Sequence, residues 1–210
     1  MAAKERGMMF VLSSPSGVGK TTLTKKLAAS NTNFSISISH TTRKPRHSEI
    51  NKKDYYFVNK EEFDSLIQRN SFFEYAKIFN NYYGTLKEPV LKFLSQGKDV
   101  LFDIDWQGTQ QLKKIKDLSL VTFFILPPNI QVLKNRLFNR HKGQEKLIKE
   151  RMDKFSEEIS HWTEYNYVVI NDDLEECFNK ILNIIKSEIK GVSQTQNSNK
   201  IAEMVRKLIK

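Results

Sequence analysis

The chain has 210 residues, of which 39% are hydrophobic, enough for one substantial core and too few for several independent domains. No stretch approaches the ~18 to 20 uninterrupted apolar residues of a membrane helix. The apolar run within the N-terminal MAAKERGMMFVLSS is too short for a secretory signal, so a cytoplasmic location is expected. The formal net charge of +10 points to anionic partners, but charge alone does not separate nucleotides from nucleic acid or lipid headgroups. Cys177, the single cysteine, has no partner for an internal disulfide and no metal-ligand spacing around it, in keeping with a reducing compartment and a place in the core.

In chain order, the apolar run Met8 to Ser13 leads into Ser14-Pro15-Ser16-Gly17-Val18-Gly19-Lys20-Thr21, and Thr21 to Ser30 behind it has helical character. The order strand, glycine-rich loop, helix is the context that a phosphate-binding loop requires. The segment from His40 to Gly84 changes texture. It is rich in Tyr, Phe, Asn and Arg, with a strand expected at DYYFV and a turn at FNNYYG, and it reads as an insertion. Within it, Asn59 with Glu62 three residues on predicts a capped helix over 62–69. Further on, KDVLFDID, LVTFFIL and YNYVVI are continuous apolar runs of strand length separated by helix-like segments. Continuous runs, unlike alternating ones, fit a parallel sheet covered on both faces, which is an α/β fold. Leu174, Cys177, Phe178, Ile181, Ile185 and Ile189 then share one helical face. The polar segment SQTQNSN follows, and Ile201, Met204, Val205, Leu208 and Ile209 make a last amphipathic helix, free to pack on its own core or on a second subunit. The oligomeric state is therefore left open.

The loop departs from the pattern G-x-x-x-x-G-K-[ST] at its first position, where Ser14 stands for glycine. Ser14 is small and lies at the loop's entry, away from the two glycines that let the backbone approach an anion, so the change is tolerable. Gly17 and Gly19 allow successive N–H groups to converge on a phosphate, with the dipole of the following helix adding to them. In such a loop Lys20 reaches the β- and γ-phosphates and the Thr21 hydroxyl binds Mg²⁺. Asp103 and Asp105, two apart at the end of an apolar strand, fall at the carboxyl edge of the sheet, where open α/β folds bind ligands. One is suited to support Mg²⁺ through water and the other to touch a second substrate; helix capping is the alternative and is compatible with both. Arg43 and Arg46 in TTRKPR point to a second anion of the phosphate-monoester class, which forked guanidinium groups match well. Tyr55 and Tyr83 can add phenolic donors. Arg136, Arg140 and Arg151 lie on an arm able to fold over two sets of phosphates. His40, His47, His141 and His161 are dispersed and suggest no metal cluster.

SSPSGVGKTTL, SISHTTRKPR, KDYYFVNKEEF, FFEYAKIFNNYYGT, VLFDIDWQGTQQ, FILPP and VVINDD, in this order and spacing, resemble the guanylate kinase family across nearly the whole chain. The resemblance implies a three-layer P-loop kinase fold, with a parallel core sheet over 1–38, 87–134 and 153–210. It also implies a mixed β/α GMP-binding insertion over 39–86 and a helical lid over 135–152. It implies ATP and GMP as substrates with Mg²⁺; the clustering of the arginines favours discrete phosphate pockets over a nucleic-acid track, and no membrane partner is expected. The ATP side would comprise Ser14 through Thr22, including Pro15, Ser16, Val18 and Thr22, together with Arg136, Asn171 and Asp172, and the metal side Thr21 and Asp103. The GMP side would comprise Ser39, Arg43, Arg46, Tyr55, Glu74, Tyr83, Gly84, Thr85 and Asp105, with Glu74 and the hydroxyls of Ser39 and Thr85 reading the base. Lys20, Arg43, Arg140 and Arg151 would stabilise charge during transfer.

The chain departs from the family at His141-Lys142, where a glycine and a small polar residue are usual, and in RHSEINKKD, which lacks a common glycine. An enzyme making ADP and GDP is the expected function. The family also contains non-catalytic interaction modules, but those lose the loop or its lysine, and this chain keeps both. A nucleic-acid binder is suggested by charge alone.

Overall fold

The computed structural model describes residues 6–196 and 198–209; the first five residues of the N-terminal stretch, Asn197 of the polar segment and Lys210 lie outside the described residues. Five parallel strands form the central sheet: β1 (Met9–Ser13), β2 (Phe34–Ile36), β7 (Asp99–Asp103), β8 (Leu120–Leu126) and β9 (Tyr167–Ile170), in the order β2-β7-β1-β8-β9. Successive residues of β1 divide between two hydrophobic clusters. Phe10 and Leu12 enter one with Leu23 and Leu27 of α1 (Lys20–Ser30) and Ile181 and Ile185 of α7 (Leu174–Ile189). Met9 and Val11 enter the other with Val90 and Leu94 of α3 (Lys87–Ser95) and Leu112 of α4 (Trp106–Lys113). A strand buried on both faces has no polar alternation to show, which is why these segments read as continuous apolar runs.

The insertion forms a second sheet, in the order β4-β3-β6-β5, from β3 (His40–Thr41), β4 (Tyr56–Phe57), β5 (Phe72–Ile78) and β6 (Asn81–Leu86). Its aromatic texture is its core: Phe63 stacks on Phe72 at 4.7 Å, and His40 on Tyr56 at 4.6 Å. β4 covers only two residues of the DYYFV segment; Tyr55 bridges instead to Asn51, whose Oδ1 accepts from the Phe57 N–H at 3.0 Å. The turn expected across FNNYYG occupies Phe79 and Asn80 alone; Tyr82, Tyr83 and Gly84 belong to β6. The helix predicted after Asn59 is α2 (Lys60–Gln68), with the reciprocal Asn59–Glu62 capping box in place. Lys52 takes a left-handed φ of 67° in the loop that lacks the usual glycine.

Helices α5 (Ile130–Arg140) and α6 (Glu145–Ser160) form the arm that carries the later arginines. A short 3-10 turn, His161–Glu164, closes α6 onto α4, with His161 stacked on Trp106 at 3.7 Å and Glu164 accepting from Gln110. Beyond α7 the polar segment straps the exposed edge of the sheet. The Gln196 side chain accepts from the Val168 N–H at 2.7 Å and donates to its carbonyl at 3.1 Å, as a neighbouring strand would. The last helix, α8 (Ser198–Ile209), buries Val205 and Leu208 in the chain's own core. No helix among the described residues is long and apolar enough to cross a membrane.

Candidate functional site

The loop after β1 lies at the middle of the parallel sheet, where connections run to opposite sides, the place at which open α/β sheets bind ligands. Gly17 and Gly19 have φ of 90° and 105°, conformations that side-chain-bearing residues rarely adopt, and Gly19 stands at the start of α1 without a side-chain cap. The first turn of α1 has no acidic residue, so its free N–H groups and positive dipole end are unopposed by local side chains. A Cβ on Gly17 would meet Leu137 at 2.7 Å and one on Gly19 would meet Asn171 at 2.6 Å, so the loop is gripped closely from outside. Asn171 Nδ2 donates to the Val18 carbonyl at 2.7 Å. Arg136 donates to the carbonyls of Val18, Asn171 and Asp172, at 3.3, 3.1 and 3.5 Å. Ser14 hydrogen-bonds locally to the Pro15 carbonyl at 2.9 Å, and Val18 is fully buried. Thr22 is exposed on the first turn of α1.

Lys20 Nζ lies 2.8 Å from Asp103 Oδ1 and donates to the Ile104 carbonyl at 2.8 Å, while Thr21 Oγ1 donates to Asp103 Oδ2 at 2.5 Å. One hydroxyl and one carboxylate are hard oxygen donors of the kind that hold a largely hydrated Mg²⁺ beside phosphates, so Thr21 and Asp103 fit that ion. The two aspartates part company: Asp103 ends β7, whereas Asp105 caps α4, accepting from Gly108 N and Gln107 Nε2, both at 3.0 Å. Asp105 caps a helix, whereas Asp103 meets Lys20 and Thr21 of the loop.

Across the sheet edge, Ser39, Glu74 and Thr85 converge. Ser39 Oγ and Thr85 Oγ1 are 3.3 Å apart, and Glu74 is 3% exposed with Oε1 buried and unpartnered. A bulge between Phe72 and Glu74 shifts the β5 register so that Glu74 sits opposite Thr85. Burial raises the Glu74 carboxyl to about 7, Thr85 opposing and Asp105 adding to the shift. Gly108 is required here, because a Cβ would stand 2.4 Å from Glu74 Oε2. Gly84 passes equally close to Phe72 and Tyr75, with a Cβ at 3.0 Å from both.

The third constellation is cationic. Arg43 lies over the Tyr55 ring at 5.3 Å, and Tyr55 meets Tyr83 edge-on at 6.1 Å. Burial pushes the Tyr55 hydroxyl strongly upward, so it remains a donor. Glu49, which the sequence reading did not single out, accepts from Arg43 NH1 and NH2, both at 2.9 Å, and from the N–H and NH1 of Arg46 at 2.7 and 3.1 Å. Desolvation and then the charge of Arg46 hold Arg140 below the ordinary guanidinium value; desolvation, then the charge of Arg140 and after it that of Arg46, do the same to Arg151. Arg46, Arg140 and Arg151 thus lie within electrostatic reach of one another. His141 at the end of α5 is buried beside them; burial and then the charge of Arg151 lower it to about 4, so it is neutral at pH 7. A glycine follows two residues later, at Gly143, with φ of 76° and open space around it.

The guanylate kinase family model matches residues 6–188. The chain belongs to the guanylate kinase family. The guanylate kinase of Rickettsia prowazekii is 51% identical over 188 residues, covering 90% of this chain and 95% of that protein. That of Novosphingobium aromaticivorans is 47% identical over 187 residues, covering 89% and 85%. A crystal structure of guanylate kinase from Anaplasma phagocytophilum superposes with a TM-score of 0.74 at 36% identity, covering 88% of this chain and 87% of that one. These guanylate kinase relatives lend nothing to the interaction-module reading, and the edge strap and α8 lie beyond the matched residues. Two acidic residues, Glu49 and Glu158, were missed from the sequence. An acid three residues after Arg46, and another two helical turns after Arg151, are the only local signals of either.

Proposed function

We propose that this guanylate kinase transfers the γ-phosphoryl group of ATP to GMP, giving ADP and GDP, with its residues divided between two facing nucleotide sites. The observation that carries the division is Glu74. It is a buried carboxylate with a free oxygen, flanked by two hydroxyls, within electrostatic reach of Lys20. Ionised Glu74 accepts from guanine N1–H and N2–H, while Ser39 or Thr85 donates to O6. Adenine presents the opposite pattern at its amino group and N1, and leaving these buried groups unpaired is costly, so the site rejects it. Arg43, Arg46, Tyr55 and Tyr83 hold the GMP phosphate, with Gly84 giving the close backbone approach and Asp105 supporting that wall.

On the other side, the loop from Ser14 to Thr22 receives the ATP phosphates, and Arg136, Asn171 and Asp172 flank the nucleotide. Thr21 and Asp103 hold Mg²⁺, which when bound neutralises phosphate charge. A GMP phosphate oxygen forms the new bond to the γ-phosphorus as the bond to the β-phosphate oxygen breaks, and ADP leaves with that electron pair. Lys20, Arg43, Arg140 and Arg151 stabilise the spread charge, and closing of the arm excludes water. In this division 39–86 is the GMP-binding insertion, 135–152 the lid, and 1–38, 87–134 and 153–210 the core. A free, buried Cys177 suits a cytoplasmic enzyme. A coupled assay of ADP release with ATP and Mg²⁺, offering GMP, AMP, CMP and UMP separately, is expected to respond to GMP alone. A response to another monophosphate would overturn the base-reading assignment.

A further inference from the structure

Ser16, third in the phosphate loop, is held by one face of α6 at its backbone N–H and its hydroxyl. Its backbone N–H donates to Glu158 Oε2 at 3.1 Å, and its Oγ accepts a hydrogen bond from Arg151. Arg151 and Glu158 are seven residues apart, two helical turns, and so project from the same side of the helix. Glu158 stands among charges on every side: Lys20 from the loop, Asp105 from the start of α4, and Arg151 from its own helix. Burial raises its carboxyl, with the Ser16 N–H and Lys20 opposing the rise.

A carboxylate beside a loop that receives a polyphosphate repels the substrate, and its neighbour Asp105 adds to that cost. Its contribution must lie in what it holds. By accepting from Ser16 it takes that N–H out of the anion-binding set and ties the loop's first turn to α6. The same turn of chain then presents the Ser16 hydroxyl to Arg151. The tie joins residues 142 apart in sequence, so no local preference of the loop supplies it.

We propose that Glu158 is a positioning residue for phosphoryl transfer: by fixing Ser16 it registers the phosphate loop against α6 and sets Arg151 over the transferring group. The proposal rests on the reading of the loop as the ATP site. Positioning of this kind has large leverage, because misplacing a reacting group by ~1 Å can cost about a hundredfold in rate.

The test compares Glu158→Ala, Glu158→Gln, Arg151→Ala and the Glu158→Ala/Arg151→Ala double variant in the full chain, with kcat, KM for each substrate and Tm as readouts. Glu158→Ala is expected to lower kcat about ten- to a hundredfold with KM for GMP unchanged. The glutamine oxygen of Glu158→Gln still accepts from Ser16 and is expected to restore most of that loss. The double variant is expected to be no slower than Arg151→Ala alone. Additive losses in the double variant, no rescue by glutamine, or a loss that tracks Tm and raises both KM values would each overturn the proposal. The unaltered enzyme assayed with GMP separates the two levels. Inactivity there removes the reaction itself, whereas an active enzyme with additive variants removes only the role of Glu158.

Discussion

Arg43 and Glu49 form a two-point pair, with NH1 and NH2 of the guanidinium each 2.9 Å from a separate carboxylate oxygen. The pair uses the end of the fork and leaves Arg43 Nε buried and unpartnered. Glu49 also accepts from the backbone and side chain of Arg46, so one carboxylate sets the orientation of both arginines. Burial works against its ionisation, but the hydrogen bonds and charges of Arg43 and Arg46 hold its carboxyl below the usual value.

Glu49→Gln is therefore expected to weaken GMP binding about tenfold, roughly the worth of one charge-assisted hydrogen bond. Guanosine, which lacks the phosphate, should bind as before. Calorimetric titration of both ligands checks this, and tighter GMP binding in the variant would mean that Glu49 merely competes with the phosphate.

On the proposed reading, base recognition uses the ionised form of Glu74, whose carboxyl burial raises to about 7. Affinity for guanosine is expected to fall as pH drops below about 7, and Glu74→Gln should remove that dependence while leaving ATP binding nearly unchanged. Guanosine is the cleaner probe, because the phosphate of GMP itself titrates near pH 6. The linkage to stability runs the other way. The folded value lies above the unfolded one, so ionisation of Glu74 costs stability as pH rises from about 4.5 through 7. Between those values Glu74→Gln should raise Tm increasingly relative to the unaltered chain.

Gly108→Ala would place a methyl 2.4 Å from Glu74 Oε2. Alanine gains ~1 kcal/mol of helix propensity in α4 and loses about 1–3 kcal/mol to overpacking, so stability is expected to fall by about 0–2 kcal/mol. If Glu74 reads the base as proposed, KM for GMP is expected to rise about tenfold or more, since that carboxylate must move, with KM for ATP unchanged. Equal effects on both KM values would place the damage outside the guanine pocket.

Gln196→Ala removes the side chain that pairs with both backbone groups of Val168. A loss of ~1–2 kcal/mol is expected, seen as a Tm lower by roughly 2–8 °C, with kcat unchanged well below the transition. Calorimetry and the coupled assay on the same preparation check both halves.

What the sequence determined by itself is what contiguous residues encode. The strand, glycine turn and helix around Lys20 lie within about twenty residues, and β7, β8 and β9 announce burial on both faces by their unbroken apolar runs. Asn59 and Glu62 specify a helix start because both partners of the capping box sit in one turn. Tertiary structure alone decided the pairings. Glu49 and Glu158 are ordinary surface acids in sequence, and only folding brings them to Arg43 and Ser16. The bulge that aims Glu74, the division of Asp103 from Asp105 and the strap of Gln196 on β9 likewise depend on partners distant in the chain. Charge and hydrogen-bonding groups act over a few ångströms, so their partners are chosen by packing, whereas periodicity and turn chemistry act along the backbone and are visible before it folds.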